Sequence, residues 1–316
     1  MSSGPSSRVQ LLTISSDEAG QRLDNFLIRV LKGAPKSLIY RVIRKGEVRV
    51  NKGRAKPERK LQAGDVVRVP PVKLDDKVAA AKPSAGLTGV LKASVLYEDA
   101  GLLVVNKPSG LAVHGGSGIQ LGLVEALRQI RDDHYLELVH RLDRATSGCI
   151  MLAKKRSVLR ALHAKLRQAG GIDKQYLALV KGKWSKRRGS IDAPLKKSEQ
   201  SSGEAIVRVE ADGKPSKTMF ELIETFADTS LVRAKPITGR THQIRVHGQY
   251  AKHPLVGDDK YGDDDFNHLM KKQGIKRLFL HAASLRFSLD GENFIEVNAP
   301  LPDDLASALV GLRKQV

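Results

Sequence analysis

Cysteine is almost absent from this chain, which has one, Cys149, in 316 residues. A lone thiol excludes an internal disulfide framework and any zinc site built on several cysteines, and it fits a reducing compartment. Long hydrophobic runs are also missing. No stretch approaches 18 consecutive apolar residues, so no membrane-spanning helix is expected. The start, Met1 to Arg8, is Ser-rich and has no apolar segment behind a charged end, unlike a secretory signal. These absences predict a soluble, cytoplasmic protein with no membrane partner. Acidic residues are scarce as well: 34 Asp and Glu stand against 54 Lys and Arg, a formal net charge of +20. Apolar residues make up 41 %, enough for packed cores, and the length accommodates two domains.

So large a charge imbalance on a folded chain is self-repelling, and a polyanionic partner is the usual compensation. Its distribution argues against scattered solubilising lysines. Residues 1–74 hold 16 Lys and Arg against 6 Asp and Glu, half the excess in less than a quarter of the length. Between Lys36 and Lys60 ten basic residues face two acidic ones. The only aromatic residues in this region are Phe26 and Tyr40, so it is suited to gripping a backbone rather than stacking on bases.

Leu23, Phe26, Leu27, Val30 and Leu31 fall on one helical stripe, with Asp17 and Glu18 just ahead of it and Gly33 and Pro35 to stop it. A second helix is expected from about Ser37 to Lys45. Leu38, Ile39, Val42 and Ile43 form its inner face, and Lys36, Arg41, Arg44 and Lys45 its polar side. Short strands follow at 48–51 and 65–69. The segments RLDNFL, SLIYRVIRKGEVRVN and AGDVV resemble the S4 RNA-binding domain. That resemblance implies structured RNA and names no reaction. The organisation expected is a tail over 1–19, an S4 domain over 20–72, a linker of Ala, Gly, Pro and scattered charge over 73–92, and a catalytic domain over 93–316.

Beyond residue 95 strands and helices alternate. Strands are expected at 102–106, 150–153, 176–180, 206–209, 218–223, 231–235 and 294–297, and helices at 122–130 and 157–168. The connections are mostly too short for helical crossovers, so the fold class is α+β, with a largely antiparallel mixed sheet and flanking helices. The segment His114-Gly-Gly-Ser-Gly118 lacks the ending of a phosphate-binding loop and reads as a flexible active-site loop. His242, His247, His253 and His281 lack metal-ligand spacing, so no metal site is expected. The chemistry concentrates in His140-Arg-Leu-Asp-Arg-Ala-Thr-Ser-Gly148. A surface ion pair on a turn is its plainest reading. An anion fixed between two arginines, on a loop between apolar strands, also suits a nucleophile or a general base.

HRLDRATSG resembles the signature of the RluA-type pseudouridine synthases. Val104–Gly110 (VVNKPSG), Lys174–Gly182 (KQYLALVKG), Pro236–His247 (PITGRTHQIRVH) and Arg277–Ala282 (RLFLHA) follow the same family in the same order. The resemblance implies an isomerase that converts uridine to pseudouridine in 23S ribosomal RNA or a large-subunit assembly intermediate, as a monomer, with no cofactor and no DNA. It makes Asp143 the group that attacks or deprotonates the sugar, Arg245 its cationic partner, and Tyr176 the aromatic ring on the flipped uracil. It makes Arg141 the residue that fills the gap left in the RNA, and Leu280 an apolar contact beneath the base. Two alternatives stay open: a family member with another target in the same RNA, and a non-catalytic ribosome-assembly factor. An S4-linked methyltransferase would need a Gly-rich nucleotide loop after a strand, and none is placed correctly.

Overall fold

The computed structural model describes residues 8–31, 34–72, 82–115, 121–133, 135–168, 170–199 and 205–314. The chain divides into two compact units, Met1–Ala81 and Lys82–Val316.

The first unit contains β1 (Gln10–Thr13), α1 (Leu23–Val30), α2 (Lys36–Arg44), β2 (Arg49–Val50), β3 (Gly53–Arg54) and β4 (Val66–Val69). The strands form an antiparallel sheet in the order β1-β4-β2-β3. Leu23, Phe26 and Leu27 of α1 and Ile39, Val42 and Ile43 of α2 meet Val50, Val67 and Val69 in one core. Burial of each such side chain is worth about 1.5–3 kcal/mol, which is what makes a unit this small and this basic fold. Asp24, buried on α1, accepts hydrogen bonds from Arg22 at 2.6 Å and from Tyr40 at 3.0 Å, tying α1 to α2. Arg41, Arg44 and Lys45 are left exposed; Lys36 opens α2, but its side chain lies outside the described residues. Within the stretch expected to be a tail, residues 10–13 pair with β4. Four residues with two adjacent leucines carry too little alternation to announce a strand.

The second unit begins with α3 (Ala85–Ala93), β5 (Val95–Glu98), β6 (Leu102–Lys107), α4 (Leu123–Ile130), β7 (Glu137–Leu138), β8 (Ser147–Ala153) and α5 (Arg156–Arg167). The expected linker over 73–92 is corrected in its second half. Residues 73–81 lie outside the described residues, whereas α3 is a helix capped by the Ser84 side chain, which accepts the Leu87 N–H. Leu91 anchors it in the core; Gly86 and Gly89, poor helix formers, mask the helix in the sequence. There follow β9 (Asp173–Lys181), β10 (Ser190–Asp192), β11 (Leu195–Glu199), β12 (Ala205–Val209), β13 (Lys217–Thr225) and β14 (Thr229–Pro236). The chain ends with α6 (Gln243–Tyr250), α7 (Asp264–Lys272), β15 (Leu280–Ser288), β16 (Phe294–Asn298) and α8 (Asp303–Arg313).

Among the described residues one large sheet runs β10-β13-β14-β9-β15-β8-β6-β5, with β16 beside β15 and β7 beside β8. Its pairings are antiparallel except β15 with β8. Both faces of its centre are covered. Leu103, Val105, Ile150 and Leu152 pack under α3 and α4, whereas Leu102, Val104, Cys149 and Met151 pack against Leu162 of α5. Two-sided burial is why these strands read as continuous apolar runs. It also pushes the Cys149 thiol up to about 12, which leaves the sulfur a packing atom. The hairpin of β11 and β12 sits apart from the sheet and packs on α6 through Val246.

The parallel contact of β8 with β15 depends on Gly148. Its φ is +112°, and a Cβ there would lie 2.3 Å from the Ala282 carbonyl oxygen. Gly148→Ala is expected to lower the thermal unfolding midpoint by roughly 5–10 °C; a midpoint within one degree of wild type would contradict this account of the crossing.

Candidate active site

The β7–β8 connection carries Asp143 on a β-turn closed by the Thr146 N–H, which donates to the Asp143 carbonyl at 3.1 Å. A second loop, 108–111, braces this turn. The Gly110 N–H donates to the Arg144 carbonyl at 2.8 Å and the Ser109 hydroxyl to the Ala145 carbonyl at 2.7 Å. Beneath both lies Lys107, wholly buried at the end of β6. Its ammonium donates to the carbonyls of Pro108, Leu111 and Arg144 at 2.9, 2.8 and 3.2 Å. Burial lowers its pKa to about 7, against the pull of the Asp143 charge. Three carbonyls gathered on one cation hold the two loops together.

Arg245 meets Asp143 from α6. Its Nη1 donates to Asp143 Oδ2 at 3.2 Å. On its other side Nε and Nη2 each donate at 2.7 Å to the two oxygens of Asp258, a fork-to-fork pair. The Arg245 side chain is 6 % exposed and that of Asp258 0 %, against 26 % for Asp143. Burial works against both charges of the inner pair. Even so, the Asp258 hydrogen bonds push Arg245 above its usual range, and Arg245, with the N–H groups of Tyr261 and Lys260, holds the Asp258 carboxyl below its own. The exposed Asp259 adds a 3.4 Å contact to Arg245. The Arg245 guanidinium lies over the Tyr261 ring, 5.1 Å from its centroid.

His242 stands at the N-cap of α6 in the left-handed region, φ 54° and ψ 19°, a strained backbone for a residue with a Cβ. Its Nε2 lies 3.9 Å from Asp143 Oδ1, and its Nδ1 lies 2.7 Å from the Tyr261 hydroxyl. Burial holds the imidazole below its usual pKa range, with Asp143 pulling the other way.

Asp143, Arg245 and His242 line a cavity of about 1220 Å³, whose wall also includes Arg141, Tyr176 and Leu280. Tyr176 is half-buried on β9 and Leu280 buried on β15; Arg141 is exposed. Burial, and then the Asp143 charge, raise the Tyr176 hydroxyl well above the ordinary phenol range, so the ring is neutral at rest. The structure thus brings Asp143, Tyr176, Arg245, Arg141 and Leu280 around one cavity. Arg41, Arg44 and Lys45 belong to the other unit, as does Lys36. Residues 116–118 of the Gly-rich loop lie outside the described residues.

The other histidines are engaged separately. His247 contacts Thr218 Oγ1 and the Ala193 carbonyl, His253 the Lys181 carbonyl, and His281 Ser147 Oγ and the Ala299 carbonyl. Sequence reasoning missed Asp258, Tyr261, His242 and Lys107 as parts of the site. A signal existed for the first two in Gly257-Asp-Asp-Lys-Tyr-Gly262. A Cβ at either glycine would lie 2.0–2.1 Å from a carbonyl oxygen, of Arg277 for Gly257 and of Asp258 for Gly262, so this turn is built for close backbone approach.

Comparison with known proteins agrees with this geometry. Residues 101–250 match the RNA pseudouridylate synthase family and residues 21–67 the S4 domain. The chain is 56 % identical over 311 residues to the ribosomal large subunit pseudouridine synthase C of Pasteurella multocida, covering 97 % of this chain and 95 % of that protein. It is 53 % identical over 310 residues to the protein of the same name from Escherichia coli K12, covering 96 % and 97 %. Among solved structures, human RNA pseudouridylate synthase domain containing 4 aligns with a TM-score of 0.58 at 27 % identity, covering 72 % of this chain and 96 % of that one. A cavity built around one carboxylate held by a buried arginine, inside a sheet with this relationship, leads to a single assignment: the chain belongs to the RNA pseudouridylate synthase family and carries an S4 domain.

Proposed function

We propose that this enzyme isomerises specific uridines of 23S ribosomal RNA to pseudouridine, and that Asp143 carries the chemistry. The observation behind the site assignment is the Asp143 carboxylate, partly open to the cavity and held on one oxygen by the buried Arg245. The large-subunit target is supported by relatives named for that particle. The same relatives favour their own target over a different site in the RNA. The enzyme acts in the cytoplasm as a monomer, on free 23S RNA or on a large-subunit precursor.

The reaction breaks the N1–C1′ bond and joins C5 to C1′. The uridine leaves its stack so that the sugar carbon can be reached. Asp143 either adds to C1′ as uracil departs or removes the C2′ proton to leave a glycal. The freed uracil turns about and C5 bonds to C1′, displacing Asp143 from C1′ on the first route or with Asp143 returning the proton to C2′ on the second; the C5 proton is then released while N1 gains one. No atom is gained or lost. Tyr176 stacks on the base, Leu280 supports it from the cavity wall, and Arg141 fills the vacated place in the RNA, since a planar cation can stack between bases. A neutral Tyr176 accepts the C5 proton only if it passes its own onward. Through Arg41, Arg44 and Lys45, and with Lys36, the S4 unit holds phosphates.

Release of tritium from RNA labelled at uridine C5 measures the reaction directly. Asp143→Asn preserves shape but offers neither base nor nucleophile, and is expected to release no tritium above background, while Asp143→Asn protein still binds RNA. Retention of a tenth or more of wild-type turnover would remove Asp143 from its role. A triple Arg41→Ala, Arg44→Ala, Lys45→Ala protein is expected to lose affinity uniformly across RNA sequences. The slope of log K against log salt should become shallower by about 2 to 3; an unchanged slope would show that these residues touch no phosphate.

A further inference from the structure

The hydroxyl of Tyr261, the Val207 N–H, the His242 imidazole and the Asp143 carboxylate constrain one another. The Tyr261 hydroxyl accepts a hydrogen bond from the Val207 N–H at 3.0 Å and lies 2.7 Å from His242 Nδ1. Burial raises the hydroxyl's pKa and lowers that of the imidazole, so the phenol keeps its proton and the ring carries only one. Two arrangements are possible. If His242 held its proton on Nδ1, the Tyr261 proton would have no acceptor among the described residues, and a bare Nε2 lone pair would face the Asp143 carboxylate. If Tyr261 donates to Nδ1, every donor is used and Nε2–H faces the anion. The second arrangement satisfies the buried hydroxyl and the charge together.

Nε2 and Asp143 Oδ1 are 3.9 Å apart, too far for a hydrogen bond to each other. One oxygen atom at about 2.8 Å from both fits that gap. It would accept from His242 and donate to Asp143, so it must be a hydroxyl or water oxygen. Whether Asp143 acts at C1′ or C2′, its carboxylate touches the C1′–C2′ edge of the sugar. The hydroxyl nearest that edge is the ribose 2′-OH, which is both donor and acceptor and distinguishes RNA from DNA. Arg245 is taken up by Asp143 and Asp258, which leaves His242 beside the carboxylate to meet it.

We infer that His242 reads the 2′-hydroxyl of the target uridine, with Tyr261 as the positioning residue that fixes its donor tautomer. This rests on the proposed uridine isomerisation and specifies which part of the nucleotide the site selects. It also accounts for the left-handed backbone at His242: the strain places the ring between Tyr261 and Asp143 rather than along α6.

The test is a substrate–variant cycle on the full-length protein, read as RNA affinity. Two RNAs differ in a single atom, one with uridine and the other with 2′-deoxyuridine at the target position. Wild type is expected to bind the deoxy RNA about tenfold more weakly, the order of one hydrogen bond at a charged site. His242→Asn keeps a residue that accepts the left-handed backbone but has a shorter reach, and should discriminate between the RNAs clearly less than wild type, keeping only the share that the hydroxyl's bond to Asp143 supplies. Tyr261→Phe keeps the ring beneath Arg245 and should lose part of the discrimination. Any effect of the deoxy sugar on RNA conformation cancels within the cycle. If His242→Asn discriminates as strongly as wild type, or if wild type does not discriminate, a water fills the gap and the inference is wrong. Wild-type protein that forms no pseudouridine in the all-ribose RNA would instead overturn the parent reading along with this one.

Discussion

One buried guanidinium organises the active site. Arg245 places three nitrogens on two carboxylates, and their unequal exposure sets their roles. Asp258, sealed from solvent, takes two short bonds and neutralises the cation structurally. Asp143, at the cavity, takes one longer bond from Arg245, and its second oxygen faces His242. Without Asp258 the arginine would lose its two shortest bonds and keep only the longer contacts to Asp143 and the exposed Asp259, and breaking a buried pair in this way costs about 3–5 kcal/mol in comparable cases. Without Arg245 the cavity carboxylate would lack a fixed orientation. The Tyr261 ring under the guanidinium, and its hydroxyl on His242, bind the same segment to a second neighbour of Asp143.

The other support of the Asp143 turn is cationic too, but works through dipoles. Among the described residues Lys107 has no carboxylate in ion-pair contact; three carbonyls accept its hydrogen bonds. A buried ammonium with a pKa near 7 is an expensive strut, and it fixes loops 108–111 and 143–146 against each other at the end of a sheet packed on both faces. The basic excess of the chain therefore has two uses. Surface cations of the first unit are suited to hold a polyanion, whereas Lys107 and Arg245 are internal fixtures whose charge is consumed within the protein.

The sequence exposed the fold where burial is periodic and hid it where burial is complete. The stripe from Leu23 to Leu31 announced α1, and the apolar runs of β6 and β8 announced strands. In α6, by contrast, Gln243 through Gly248 are all buried, so Arg245 rides on a helix with no polar face to mark its period, and its segment carried no helical signal. Strand β15, rich in small residues, was equally silent. At the site, Asp143, Tyr176 and Arg245 were named because motifs carry them, not because periodicity does. Asp258 and Tyr261 lie outside those motifs, and their importance comes from contacts made across 13 to 54 residues of chain. For His242 the sequence distinguishes a metal ligand from a structural or RNA-facing histidine and goes no further, because its tautomer depends on a tyrosine 19 residues away.

The most direct test of this account is the energetic coupling between Arg245 and Asp258. Single-turnover rates of pseudouridine formation would be compared for wild type, Arg245→Lys, Asp258→Asn and the double variant, each checked for folding by circular dichroism. Because the two residues act as one unit on Asp143, the double variant should be no slower than the slower single variant, within about twofold. Rate losses that multiply independently would mean that Asp258 does not work through Arg245, and the central constraint would fail.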